Sequence, residues 1–312
     1  MPLVGIVGAG LIGRSWAIVF ARAGWDVALY DPDADQRRRV KAGIEAALAD
    51  LTAERLIGDA GACSARVRVE ADLTAAVDRA DFVQENAPET VDAKVAIFSE
   101  LDRIAPNQAV LASSTSAIVA SRFTRQLAGR SRCLVAHPVN PPHLVPLVEL
   151  VAPPWTAPET LTRARSVYEE IGQVPIAVRR EIDGFVLNRL QGALIAEAFR
   201  LVEDGYVSPQ DLDKTVKHGL GLRWSFLGPF ETIELNAPGG IPDYCARYAA
   251  FYQRLQSAPA GPEVFAAERV ARVLTQWGEE KSRAHLEARS RWRDRRLAAL
   301  VAHKRAQPQD QD

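Results

Sequence analysis

The sequence predicts an α/β protein in which a doubly wound, mostly parallel sheet is followed by a smaller, all-helical domain. The chain has 312 residues, of which 47% are hydrophobic and 25% charged, so it can bury two sizeable cores. Short β-rich runs alternate with helical patterns in its first part, and long helical periodicity replaces them from Gly184 onward. We therefore place one domain at residues 1–183 and a second at residues 184–312.

The first elements predicted are a strand, a turn and a helix. A short apolar run from Leu3 to Gly8 predicts the strand, and apolar periodicity from Ile12 to Ala23 predicts the helix. Asp26–Tyr30 predicts a second strand and completes a parallel βαβ unit. Further strands are predicted at Asp81–Gln84, Ala109–Ala112, Cys133–His137 and Val145–Val151, with a helix at Val91–Ile104. This order is typical of a Rossmann-like doubly wound domain.

The C-terminal part has the pattern of successive helices. Phe185–Glu203 predicts one long helix, and an N-cap pattern at Ser208 predicts another that ends near Gly219. Residues 287–305 predict an arginine-rich, solvated helix rather than a nucleic-acid arm, because acidic residues interleave with the basic ones. A frayed tail is expected at Gln307–Asp310.

Overall charge and cysteine usage restrict the classes of function. With 38 basic and 39 acidic residues the net charge is −1, which argues against nucleic acid or a membrane surface as a partner and favours a small-molecule substrate. Three cysteines without metal-ligand spacing indicate buried, inert thiols in a reducing compartment, and no metal site is predicted. The chain begins in a strand and has no run of about 18 apolar residues, so we expect a cytoplasmic protein without a membrane span.

Glycines between the first strand and the first helix follow the G-x-G-x-x-G spacing of a dinucleotide-binding turn. Gly8 permits the tight turn, Gly10 lets the backbone approach a pyrophosphate, and Gly13 lets the helix pack closely on the strand. The backbone N–H groups at the start of the helix, from Leu11 and Ile12 onward, favour the negative charge of the phosphates.

An acidic residue at the end of the second strand selects the cofactor. Asp31 stands about 20 residues after the glycines, where its carboxylate can accept hydrogen bonds from ribose hydroxyls. A carboxylate there would repel the 2′-phosphate of NADP, so NAD is favoured. Arg37, Arg38 and Arg39 keep NADP as a minor alternative, because a solvated helix face is the favoured explanation of these arginines.

Four polar side chains lie in otherwise apolar segments at the ends of predicted elements: Ser116, His137, Glu149 and Asn188. Ligands bind beyond the carboxyl ends of strands in open α/β sheets, where Ser116 and His137 are expected. A carboxylate in an apolar strand is costly unless it is paired, and His137 is the natural partner of Glu149. Such a pair orients the imidazole and raises its basicity, as a general base requires. Each residue alone is more often structural, but their joint occurrence beside the glycine turn favours catalysis.

Several segments resemble the 3-hydroxyacyl-CoA dehydrogenase superfamily. They are His137-Pro-Val-Asn-Pro141, the serine cluster ending at Ser116, and Gly184-Phe-Val-Leu-Asn-Arg189. More closely, the chain is similar to the lambda-crystallin branch, which includes L-gulonate 3-dehydrogenase, and this resemblance covers nearly the whole chain. It implies NAD-dependent oxidation of a 3-hydroxyl group. His137 would be the general base, Glu149 its partner, and Ser116 and Asn188 would hold the substrate oxygen.

The same resemblance implies further contacts. Glu89 and Lys94 match positions that contact the nicotinamide-side nucleotide, whereas the residues alone suggest two solvent-exposed side chains at a helix start. Ala117 replaces a hydroxyl residue after Ser116, which weakens the role of a second hydroxyl. Family members commonly pair through the helical domain, so a homodimer is expected.

The substrate is predicted from one arginine. Arg223 lies in a segment, residues 219–231, that is longer than its counterpart in acyl-CoA enzymes of the family, and a guanidinium binds a free carboxylate bidentately. We therefore expect a free 3-hydroxy acid, L-gulonate-like, as the substrate. The alternative for this arginine is a surface pair with Glu231 or Glu234. An L-3-hydroxyacyl-CoA dehydrogenase and a non-catalytic, crystallin-like structural protein remain the alternative functions.

Overall fold

The computed structural model describes residues 1–307 and divides them into two compact units. Unit 1 comprises Met1–Val186 together with residues 283–307, and unit 2 comprises Leu187–Ser282. No helix in the described residues is long and apolar enough to cross a membrane. The frayed tail predicted at Gln307–Asp310 lies, beyond Gln307, outside the described residues.

Unit 1 is built on one sheet. Within residues 1–307 its strands are β1 (Leu3–Val7), β2 (Asp26–Tyr30), β3 (Val67–Val69), β4 (Phe82–Glu85), β5 (Val110–Ser113), β6 (Cys133–Pro138), β7 (Leu147–Val151) and β8 (Val174–Val178). Their spatial order is β3-β2-β1-β4-β5-β6-β7-β8, and every neighbouring pair is parallel except β6 with β7. The order reverses at β1 and β4, which is the switch point where doubly wound sheets bind ligands.

Helices cover both faces of this sheet, as a parallel sheet requires. They are α1 (Leu11–Arg22), α2 (Ala34–Ala53), α3 (Ala60–Ala65), α4 (Leu73–Val77), α5 (Val91–Ile104), α6 (Ser121–Thr124) and α7 (Pro158–Glu170). Alternate residues of one strand enter different hydrophobic clusters: Val110 and Ala112 of β5 pack on one side, and Leu111 packs on the other. The predicted doubly wound fold is therefore confirmed. β3 and β8 escaped prediction, because β3 has only three residues and β8 is an edge strand that contains Pro175.

Unit 2 consists of helices within the described residues. They are α8 (Leu187–Glu203), α9 (Pro209–Thr215), a π-helical turn (Val216–Leu220), α10 (Gly221–Arg223), α11 (Pro229–Glu234), α12 (Gly240–Leu255), a 3-10 turn (Pro262–Phe265) and α13 (Ala267–Trp277). α8 begins two residues later than predicted, since Phe185 is buried with a φ of +51°. Ser208 caps α9 as predicted, its Oγ accepting from the N–H of Asp211 at 3.1 Å.

The last helix, α14 (Arg283–Ala306), differs from the prediction that residues 184–312 form one domain, because it belongs to unit 1. Ala298 is buried in the unit 1 core, and Leu297 packs against the same cluster. These two apolar residues form a narrow strip in an arginine-rich sequence, which is why the helix resembled a solvated one.

The prediction of buried thiols holds for one cysteine and fails for another. Cys133 is buried in β6, and burial raises the pKa of its thiol to about 12. Cys63 is half-buried, and burial raises its pKa as well. Cys245 lies on the exposed surface of α12, so the expectation of burial was wrong there. All three thiols are free.

Candidate active site

The glycine turn connects β1 to α1 and has the geometry of a dinucleotide cradle. Gly8 has a φ of +97°, and a Cβ there would lie 2.7 Å from the carbonyl oxygen of Asn86. A Cβ at Gly13 would lie 1.8 Å from the carbonyl oxygen of Gly8, so α1 approaches the turn too closely for any side chain. At Gly10, the N-cap of α1, no heavy atom lies within 4 Å of the Cβ position and no side chain caps the helix. A pyrophosphate therefore fits over Gly10, next to the N–H groups of the first turn.

Asp31 follows β2 directly and faces this turn. Its Oδ2 accepts from the N–H of Ala9 at 2.7 Å, and its Oδ1 accepts from the N–H of Asp33 at 2.9 Å. Each carboxylate oxygen has a second acceptor site, which leaves capacity for ribose hydroxyls. Arg37 donates to the carbonyl oxygens of Asp31 and Pro32, so its guanidinium already serves the local backbone. The residues fit NAD better than NADP.

A partly buried polar network supports the glycine turn. The hydroxyl of Ser114 accepts from Trp16 Nε1 of α1 at 2.9 Å and from Gln84 Nε2 of β4 at 2.7 Å. It donates to Asn86 Oδ1 at 2.7 Å, and Asn86 Nδ2 in turn donates to the carbonyl oxygen of Val7 at 3.2 Å. These bonds fix the ends of β1, β4 and β5 to the first helix. Among these residues only Ser114 lay in a segment that the sequence singled out as functional, the serine cluster ending at Ser116.

His137 and Glu149 form the buried pair that the sequence predicted. They lie directly opposite each other on β6 and β7, with His137 Nδ1 2.7 Å from Glu149 Oε2. Because a carboxylate only accepts, Nδ1 carries the proton and the lone pair resides on Nε2. No hydrogen-bond partner occupies Nε2 within residues 1–307. An imidazole held in this way can accept a proton at Nε2 while Glu149 holds Nδ1–H.

The carboxylate of Glu149 is itself held in place. It is fully buried, and its Oε1 accepts from the backbone N–H of Val186 at 2.9 Å. The neighbouring Phe185 packs its ring 5.4 Å from the imidazole of His137, measured between centroids. The left-handed backbone at Phe185 turns the chain so that both contacts form together. Glu149 can therefore orient the imidazole rigidly.

Ser116 lies in the loop after β5, and Glu89 organises that loop. One oxygen of Glu89 accepts from the backbone N–H groups of Ser116 at 3.0 Å and Ala117 at 3.1 Å, and from the hydroxyl of Thr115. Glu89 is solvent-exposed, as the residues alone suggested. Ala117 has no hydroxyl group. The hydroxyl of Thr115, in the same loop, already donates to Glu89 and accepts from the N–H of Ile118.

Lys94 is buried, so its assignment as a solvent-exposed side chain was wrong. It is 1% exposed, and its Nζ lies 2.8 Å and 3.0 Å from the two oxygens of Glu85 and 3.0 Å from the carbonyl oxygen of Ala87. The hydroxyl of Ser113 donates to Glu85 at 2.6 Å. The ammonium is needed because Glu85 ends β4 fully buried. Its three donors are therefore already used within the protein.

Two candidate residues belong to unit 2. Asn188 is the second residue of α8, and Arg223 is the exposed last residue of α10. In the described residues Arg223 forms no ion pair with Glu231 or Glu234, and these carboxylates accept from the backbone N–H groups of Gly228 and Ile241. The roles of Asn188 and Arg223 remain predictions.

Comparison with known proteins agrees with this geometry. The NAD-binding domain of 3-hydroxyacyl-CoA dehydrogenase matches residues 3–182, and its C-terminal domain matches residues 184–284. The lambda-crystallin homolog of Rattus norvegicus is 43% identical over 310 residues, covering 97% of both chains. The L-carnitine dehydrogenase of Burkholderia mallei is 33% identical over 297 residues, covering 95% of this chain and 92% of that protein.

Solved structures with the same fold include an NAD⁺-dependent 5-formyl-3-hydroxy-2-methylpyridine 4-carboxylic acid 5-dehydrogenase. It superimposes with a TM-score of 0.84 at 27% identity, covering 99% of this chain and all of that one. The cofactor is therefore NAD, and the reaction is oxidation or reduction at a CH–OH group. The glycine cradle, the sheet and these matches together show that the chain belongs to the 3-hydroxyacyl-CoA dehydrogenase family.

Proposed function

We propose that the protein oxidises the 3-hydroxyl of a small, free 3-hydroxy acid, L-gulonate-like, to the 3-keto acid. The observation that carries this proposal is the pair His137–Glu149, in which Nδ1 is fixed and Nε2 is left for a proton. The relatives named lambda-crystallin and L-carnitine dehydrogenase favour a small substrate. Bound NAD supplies the hydride acceptor.

In this proposal His137 removes the proton of the alcohol. The O–H bond breaks toward Nε2, the carbinol C–H bond breaks with its electron pair leaving as hydride, and the carbonyl double bond forms. Glu149 stabilises the imidazolium that results, through the Nδ1–H bond of 2.7 Å. Ser116 and Asn188 hold the substrate oxygen.

The cofactor roles follow from the cradle. Gly8, Gly10 and Gly13 shape the turn, Leu11 and Ile12 offer the N–H groups of the first helical turn, and Asp31 accepts from the ribose. Glu89 and Lys94 border the nicotinamide side. For Lys94 we assign a supporting contact, since its ammonium is already bound by Glu85.

The test of the base is His137→Ala. We expect kcat to fall by about 10² to 10⁴ while the Kd for NAD changes less than about twofold. His303→Ala, an exposed histidine of α14, is the matched control and should keep full activity. A loss in kcat below about tenfold would remove the general-base role from His137.

The variant Arg223→Ala tests whether the substrate is a free acid or a thioester. If it binds the substrate carboxylate, Arg223→Ala should raise KM for a free 3-hydroxy acid by about tenfold or more and leave 3-hydroxybutyryl-CoA unaffected. An equal loss on both substrates would argue against a carboxylate contact. The measurement is initial-rate kinetics on both substrates with the same enzyme batch.

Two alternatives are separated by one screen. NAD reduction is followed with gulonate, 3-hydroxybutyrate, carnitine and 3-hydroxybutyryl-CoA. Turnover of the thioester alone would identify an L-3-hydroxyacyl-CoA dehydrogenase. No turnover on any substrate would favour a non-catalytic, crystallin-like protein, against which the intact pair His137–Glu149 argues.

We also propose a cytoplasmic homodimer that pairs through unit 2. Large apolar side chains are exposed there, among them Phe226 at 58%, Phe230 at 73% and Leu235 at 72%. Exposed apolar surface of this extent is typical of an interface. Sedimentation velocity should give a dimer at micromolar concentration, and Phe230→Asp should shift it toward monomer.

A further inference from the structure

A cationic cleft lies at the far end of α1 from the glycine turn. α1 has 12 residues, so Arg22 at its end is about 18 Å from the cofactor cradle along the helix. The cleft has a volume of about 470 Å³. The residues that line this cleft, which we call the arginine cleft, include Arg22, His143, Pro146, Val301, Lys304 and Arg305.

The charged side chains among the described residues that line the arginine cleft are all basic. None of the residues that line it in the described part of the chain is acidic. Arg22 Nη1 donates to the carbonyl oxygen of His143 at 2.7 Å, and Arg305 Nη1 lies 3.5 Å from the carbonyl oxygen of Leu56. Within residues 1–307 neither guanidinium forms an ion pair with a carboxylate. The guanidinium groups of Arg22 and Arg305 therefore line this cavity without a carboxylate partner in residues 1–307.

The local potential is strongly positive. Burial and the nearby Arg305 lower the pKa of Arg22 to about 10. Burial, together with Arg22, Arg14 and Arg293, lowers the pKa of His143 to about 4. The imidazole therefore stays neutral at physiological pH and takes up none of the positive charge.

Arg22 is not needed to cap its own helix. The carbonyl groups at the end of α1 already accept from the N–H groups of Ala23, Gly24 and Trp25, at 3.1 Å in each case. The guanidinium instead reaches across to the loop at His143. Like charges held beside an open cavity are stabilised when an anion enters between them.

We propose that the arginine cleft binds a small anion bearing a phosphate or carboxylate group, held by Arg22 and Arg305. A guanidinium recognises either group through paired N–H donors. The cavity accommodates inorganic phosphate or a short dicarboxylate. The length of α1 separates this site from the cradle, so it does not compete with NAD.

The test is calorimetric titration of the NAD-saturated protein with inorganic phosphate and, separately, with succinate, at constant ionic strength in KCl. Saturating NAD keeps phosphate from the glycine turn. We expect saturable binding of one anion per chain for at least one of the two probes, which also identifies the preferred group. Arg22→Gln and Arg305→Gln should each raise the Kd by about tenfold or more.

The controls separate a specific site from general charge. Arg38→Gln removes an exposed arginine of α2 and should leave the Kd within twofold. Arg305→Gln alters an exposed side chain, so it remains informative if Arg22→Gln folds poorly. Absence of saturable binding of both anions, or an equal loss in Arg38→Gln, overturns the proposal.

Discussion

Two buried imidazoles occupy opposite electrostatic surroundings in unit 1. His137 is 5% exposed and lies opposite the carboxylate of Glu149, whereas His143 is 8% exposed and lies among arginines. His137 has a fixed tautomer and one available nitrogen. The Nδ1 of His143 is buried without a hydrogen-bond partner in the described residues. Burial alone therefore does not distinguish His137, the proposed general base, from His143, whereas the neighbouring charge does.

The largest effect expected is that of removing the carboxylate that distinguishes His137. Glu149→Gln should lower kcat by about 10² to 10⁴, because a neutral amide stabilises the imidazolium less. If its oxygen accepts from the N–H of Val186, its NH2 group faces Nδ1 and favours the other tautomer. Steady-state kinetics gives kcat, and NAD titration should give an unchanged Kd. Glu159→Gln, an exposed glutamate of α7, is the matched control. A full kcat in Glu149→Gln would mean that the neighbouring carboxylate does not give His137 its proposed role.

The second comparison is with Glu85, a buried carboxylate that is paired with the ammonium of Lys94. We expect this pair to contribute to stability and not to catalysis. Lys94→Met leaves Glu85 buried without its ammonium, so the free energy of unfolding should fall by about 3–5 kcal/mol. Urea denaturation measures this value. The double variant Glu85→Gln/Lys94→Met should recover a large part of it, and Lys41→Met on the exposed face of α2 should change little. An unchanged free energy of unfolding in Lys94→Met would mean that the ammonium does not stabilise the buried carboxylate of Glu85.

Sequence reasoning succeeded where residues act across adjacent elements. The glycine turn with Asp31 could be predicted from the fixed spacing of a βαβ unit. The acid opposite His137 could be predicted because its strand follows that of His137 after a short connection. The same logic applied to Glu85, an acid at the end of an apolar strand, would have found the partner of Lys94.

Contacts distant in sequence could not be predicted. The sequence around His143 does not predict the arginines that lie beside it. Arg22 is 121 residues away in the chain, and Arg305 lies on the last helix. The position of α14 in unit 1 depends on Ala298, a small residue that any helix could carry. Such contacts arise from packing of whole elements, and local patterns do not encode them.

The smallest effect expected is the pH dependence that His143 imposes on stability. Its pKa is 6.5 in the unfolded chain and about 4 in the folded one, owing to burial first and to Arg22, Arg14 and Arg293 next. Between these values the unfolded chain binds a proton that the folded chain refuses. The contribution is therefore complete above pH 6.5 and is lost as the pH falls toward 4, by about 3 kcal/mol in total.

The measurement is urea unfolding from pH 7 to pH 4.5 in a buffer free of phosphate and polycarboxylates. The free energy of unfolding of His143→Asn should fall less steeply over this range than that of the parent chain. The carboxylates are the same in both proteins, so the difference between the two slopes reports the titration of the His143 imidazole. Identical slopes would mean that the arginines do not set the protonation of His143, and the contrast with His137 would then rest on hydrogen bonding alone.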